Sequence, residues 1–78
     1  MNLSTYIAAD PDVCHGQARI AGTRIPVSVV LDCIAAGMTT DEITAQYPTL
    51  TSEHIRAAAS YGALLAREDV LPIESTGA

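Results

Sequence analysis

The sequence predicts a mainly α domain, a short N-terminal β-hairpin followed by a three-helix bundle of helix-turn-helix type. Three observations carry the prediction. A Gly-Thr pair interrupts a β-branched stretch between Ile20 and Ile25, a proline follows at position 26, and two threonine-led capping patterns open helices near residues 39 and 51. The expected organisation is a single domain over 1–67, with a hairpin at about 18–27 and helices at about 27–36, 40–47 and 52–67. Residues 68–78 form an acidic C-terminal tail.

Residues 1–16 read as irregular, with a first strand at Tyr6 and Ile7 and a turn at Asp10-Pro11-Asp12. In the hairpin, Gly22 suits the first central position of a two-residue type II′ turn, which demands φ > 0. Ile20 then lies opposite Ile25. Alternation places Ala18, Ile20, Ile25 and Val27 on one face and Arg19, Ala21, Arg24 and Pro26 on the other.

Pro26 is expected in the first turn of the helix that follows, where a missing N–H costs nothing. Val27, Val30, Leu31 and Ile34 recur at helical spacing, widened by Val29, Cys33 and Ala36, so this helix is expected to be buried on most sides. Gly37 supplies a left-handed stop. Thr39 and Glu42 form a capping box with Met38 stapled to Ile43, and Tyr47-Pro48 ends the second helix. Thr51 repeats the pattern with Leu50 against Ile55, His54 standing where glutamate completes the box. The expected inward stripe of the last helix is Ile55, Ala58, Ala59, Gly62 and Ala66, with Ala57 further round.

Composition narrows the function. The 78 residues contain no lysine, four arginines and nine acids, for a net charge of −5. Such a balance argues against strong non-specific nucleic-acid binding. Glu68, Asp69 and Glu74 concentrate acid in the tail. With no Phe or Trp the core is Ala, Val, Ile and Leu, and a chain this small is expected to form a homodimer or gain a partner. Two cysteines, no secretory pattern and no apolar run near 20 residues point to a cytoplasmic protein without membrane attachment.

Asp10, Asp12, Cys14 and His15 are potential metal ligands, but their mixed hardness and the lack of a second Cys/His pair favour turn-forming roles. Cys14 and His15 are neighbours, but adjacent side chains point apart in an extended chain and His54 has no nucleophile at hand, so the chain reads as non-enzymatic, without metal or other cofactor. A short helix, a tight turn and a longer helix is also the outline of a DNA reader, although many three-helix bundles share it. Ser52, Glu53, His54, Arg56, Ala57 and Ser60 are the residues that would face a groove.

Gly22-Thr23-Arg24-Ile25-Pro26-Val27, Ala36-Gly37-Met38, Glu42-Ile43, Tyr47-Pro48, Leu50-Thr51, Ile55-Arg56-Ala57-Ala58 and Tyr61 together resemble the bacterial family called domain of unknown function 433, over about Ile7 to Ala63. The resemblance implies a helix-turn-helix or homeodomain-like fold; the winged-helix type is the other form this outline takes. It also implies an antitoxin of a type II toxin-antitoxin pair, set against a PIN-like ribonuclease toxin. Two places depart from the family pattern. Gly16-Gln17-Ala18 stands where Gly-Lys-Pro or Gly-Arg-Pro is usual, and Ala58-Ala59-Ser60-Tyr61-Gly62 stands where Ala-Leu-x-Tyr-Ala is.

Under that reading Arg19 and Arg24 are the candidates to meet a toxin's metal-binding acids, as a bidentate guanidinium can. For Arg24 the structural alternative is a pairing with Asp32 or Asp10 that pins the hairpin. Val70, Leu71 and Ile73 are candidates to dock on the toxin, or else fold back on the chain's own helices. Operator DNA is expected to bind weakly, and only to a dimer or toxin complex. The rival is a stand-alone helix-turn-helix transcription factor or an oligomerisation module with no toxin partner.

Overall fold

The computed structural model describes residues 2–10 and 17–68. In chain order it comprises α1 (Leu3–Tyr6), β1 (Ile7–Ala8), β2 (Arg19–Ile20), α2 (Val27–Ala35), α3 (Thr40–Gln46) and α4 (Ser52–Glu68). The fold is thus mainly helical with a two-stranded antiparallel sheet, and it has one more helix than expected. Asn2 begins α1 by accepting the Ser4 N–H on its Oδ1 at 3.1 Å. Tyr6 therefore ends a helical turn, and the first strand starts one residue later, at Ile7.

β2 is the hub of the N-terminal half. Ile7 pairs with Ile20 and Ala8 with Arg19, while Arg19 also bridges Pro26 on the other side. The backbone alternates accordingly: Ile20 N–H donates to the Ile25 carbonyl at 2.9 Å, and Ala21 N–H donates to the Tyr6 carbonyl at 2.7 Å. Ile20 does face Ile25, but across four residues. Thr23 N–H closes the turn on the Ile20 carbonyl at 3.0 Å, so Gly22, with φ of 79°, is the third residue of the turn. That is where a type II turn requires positive φ, in place of the expected type II′ geometry. The Thr23 hydroxyl explains the longer loop. It donates to the Ile20 carbonyl at 2.8 Å and accepts the Ile25 N–H at 3.0 Å, taking the bond a two-residue turn gives to backbone.

Pro26 lies one position before α2 as its N-cap, with ψ of 146°. The ladder holds it extended, because Val27 N–H still donates to the Ala18 carbonyl at 3.0 Å. At the far end Gly37, with φ of 87°, closes a Schellman motif: Met38 N–H reaches the Cys33 carbonyl at 3.1 Å and Gly37 N–H the Ile34 carbonyl at 3.0 Å. The capping box of α3 is complete, with Glu42 N–H on Thr39 Oγ1 at 3.2 Å and Thr39 N–H on Glu42 Oε1 at 2.7 Å.

These bonds favour the ionised carboxylate and hold the Glu42 pKa below its ordinary value, the backbone N–H of Thr39 contributing most. A depressed folded pKa stabilises above the unfolded value and loses that contribution as pH falls through the folded one. Glu42→Ala is therefore expected to lower the urea midpoint near neutral pH, with the gap to wild type shrinking on acidification to about pH 3. A gap unchanged by acid would show that the carboxylate charge contributes nothing.

The core is Ile20, Val27, Val30, Ile43, Leu50, Ile55 and Ala58, with Ile7, Ala18, Ile25, Met38, Tyr47 and Tyr61 packed against it. Two expectations fail here. α2 is not buried on most sides: β2 and α4 cover Val27 and Val30, while Ile34 is 40% exposed and Ala35 and Ala36 face outward. In α4 Ala57 is fully buried, whereas Ala59 and Ala66 are exposed. The added helix α1 packs on α4, where the Tyr6 ring meets His54 edge-on with centroids 5.6 Å apart.

Gly62 is half-buried opposite Leu31, where an added Cβ would lie 3.2 Å from Leu31 Cδ1. Leu31 borders an open hollow and has room to move. Gly62→Ala is thus expected to raise stability by up to about 1 kcal/mol through helix propensity. Thermal unfolding reads the sign, and a lowered midpoint would mean that Leu31 is pinned.

Candidate functional site

Two surfaces follow from this architecture. The first is the turn after β2. Pairing of Arg19 with both Ala8 and Pro26 fixes its backbone in the middle of the ladder. Its side chain is half-buried: Nε donates to the Thr23 carbonyl at 3.1 Å, which ties the guanidinium to the turn. Nη1 is buried and has no hydrogen-bond partner among the described residues. Orphaned donors of this kind cost roughly 1–3 kcal/mol. Arg24 lies in the same turn and is exposed.

The start of α4 is the second surface. His54 Nδ1 accepts the Thr51 N–H at 2.9 Å, and the His54 N–H faces Thr51 Oγ1 at 3.4 Å. Histidine thus completes the box that glutamate completes in α3, and its ring also packs on Tyr6. Both engagements hold His54 against the protein. Ser52 donates to Glu53 Oε1 at 3.1 Å, so these two exposed residues satisfy one another. Arg56 and Ser60 are exposed on α4, whereas Ala57 is fully buried and does not face a groove; Arg56 is the single cation among the six candidate groove-facing residues.

Sequence reasoning missed a third feature. Two adjoining hollows share Ala18 and Tyr61; one continues to Val27, Leu31 and Leu65, the other to Leu3, Ile7 and Leu64. Among the described residues, no charged side chain lines either. Leu64 and Leu65 are 41% and 44% exposed at its edge. The available sequence signal is the apolar pair itself, which lies outside the expected inward stripe of the helix.

Val70, Leu71 and Ile73 lie outside the described residues, as do Asp12, Cys14 and His15 of the potential metal set. Among the described residues, no three His, Cys, Asp or Glu side chains cluster to hold a metal ion, and no helix is long and apolar enough to cross a membrane.

Residues 7–62 match the family described as Protein of unknown function (DUF433). The chain is 34% identical over 55 residues to the uncharacterized protein y4eO of Sinorhizobium fredii, which covers 70% of this chain and 25% of that protein. It is also similar to a crystal structure of a DUF433 member protein from Anabaena variabilis, with a TM-score of 0.76 and 39% identity over 85% of this chain and 65% of that one. This chain therefore spans a quarter of the first relative's length and just under two thirds of the second's.

Proposed function

Because the chain belongs to the DUF433 family, whose function is unknown, we propose from its own side chains that it is an antitoxin-like protein that binds and neutralises a PIN-like ribonuclease toxin. One observation supports this reading: the half-buried Arg19 side chain is tied to the turn by Nε, beside the exposed Arg24, and its Nη1 has no hydrogen-bond partner among the described residues. Nη1 itself is shut off from solvent, so an incoming anion meets the accessible part of the Arg19 side chain and Arg24. The net charge of −5 disfavours the extended charge of a phosphate backbone as that anion, and a guanidinium pairs bidentately with a single carboxylate. A nuclease that holds its metal with clustered acids offers such carboxylates, and a guanidinium inserted among them competes with the metal. The toxin-facing set is Arg19 with Arg24 on the turn, extended by Val70, Leu71 and Ile73 of the tail.

The finer fold reading belongs to the same proposal. α3 and α4, joined through residues 47–51, make a helix-turn-helix of homeodomain-like or winged-helix-like type, which allows weak repression of the protein's own operon. His54 is engaged by Thr51 and Tyr6, which leaves Arg56, Ser60, Ser52 and Glu53 to face DNA. With one cation in that set, operator binding requires a homodimer or the toxin complex to supply phosphate contacts.

Co-expression with the PIN-like product of a neighbouring reading frame tests the proposal. A complex that survives size-exclusion chromatography is expected. Separate elution of the two proteins at micromolar concentration would favour a stand-alone regulator or oligomerisation module.

A further inference from the structure

We infer that His54 is a pH-sensitive latch on the first turn of α4, closed while its imidazole is neutral and opened when the ring takes a proton from solvent. Its Nδ1 accepts the Thr51 N–H at 2.9 Å and lies 3.1 Å from Thr51 Oγ1. A backbone N–H can only donate, so Nδ1 presents its lone pair and the neutral ring carries its proton on Nε2. Protonated imidazole has donors at both nitrogens and no acceptor. The bond that closes the cap is then lost, and two N–H groups meet where one met a lone pair. Thr51 Oγ1 can accept the new Nδ1–H, but the Thr51 N–H is left to water.

The surroundings sharpen the effect. The new charge stands in the first turn of a 17-residue helix, where aligned backbone N–H groups disfavour a cation. The half-buried ring packs edge-on against Tyr6, so swinging away from Thr51 also gives up the contact with α1. In α3 the same place in the box is held by Glu42, whose depressed pKa keeps that cap closed in the range where this one opens. Of the elements packed on α4, α1 sets Tyr6 against the ring, and the charged residues of α2 and α3 are Asp32, Asp41 and Glu42. Glu53 and Arg56 stand beside His54 on α4 itself. Among these residue types, histidine alone ordinarily changes charge between about pH 5 and 8. The unfolded chain takes up the same proton without losing a cap, so acid favours unfolding through His54 and the contribution returns as pH rises. This latch belongs to the protein without a partner and does not rest on the toxin reading.

Urea unfolding of the full-length protein at about pH 7.5 and about pH 5.5 tests the latch against His54→Gln, because glutamine completes a capping box without titrating. Both proteins keep His15, so the difference between them reports His54. On acidification the unfolding constant of the wild type is expected to rise about fivefold more than that of the variant. An equal change in both would overturn the inference. In proton–nitrogen correlation spectra of the wild type, the Thr51 amide resonance is expected to move in step with the His54 ring protons. A Thr51 amide that stays in place while the ring titrates would overturn it as well, whether or not the variant folds.

Discussion

Truncation of Ile20 to alanine is expected to cost roughly 2–5 kcal/mol. Ile20 is fully buried and joins every part of the N-terminal half. It pairs with Ile7 in the sheet, lies across the turn from Ile25 and sits in the same core cluster as Val27, Val30 and Ile43. Its removal opens a cavity that β2 cannot collapse to fill, because backbone bonds hold that strand on both sides. Small domains have total stabilities of roughly 5–15 kcal/mol, so the variant should lose a large share of its folded population margin. Urea unfolding checks this; a loss below about 1 kcal/mol would mean that the hairpin is not seated on the helices.

The second large effect concerns Arg19 and separates folding from binding. Arg19→Met removes the bond from Nε to the Thr23 carbonyl, worth about 1 kcal/mol, and also removes the orphaned Nη1, whose desolvation costs about as much. Stability is therefore expected to change little. Affinity for an acidic protein partner is expected to fall by about 30-fold or more, since truncating one member of a buried charge pair costs roughly 2 kcal/mol or above. A melting temperature that collapses with unchanged affinity would make Arg19 a structural residue only.

What was legible in the sequence was local. The capping box of Thr39 and Glu42, the stop at Gly37 and the histidine-completed cap at Thr51 are each decided within a few residues, and each stands in the structure. The facing of Ile20 and Ile25 was legible from alternation, but the turn type was not, because the Thr23 hydroxyl replaces a backbone partner. Pro26 was misplaced by one residue for a tertiary reason: the ladder to Ala18 outlasts the strand's local signal.

Burial of Ala57 and exposure of Ile34 were both misread because helical spacing reports which residues share a face, not which faces a neighbour covers. One neighbour of α4 absent from the expected arrangement is α1, a four-residue helix with no periodicity to announce it. The candidate site divides in the same way. Arg19 and Arg24 were visible as cations on a turn, whereas the orphaned Nη1 depends on packing around β2, and the hollows at Tyr61 depend on four elements meeting.

The most direct test of the account is a titration of RNA cleavage by the PIN-like partner with the full-length wild-type protein. Stoichiometric loss of cleavage is the predicted result, with Arg19→Met shifting the curve to higher concentration by about 30-fold or more. Undiminished cleavage at saturating wild-type protein would contradict it.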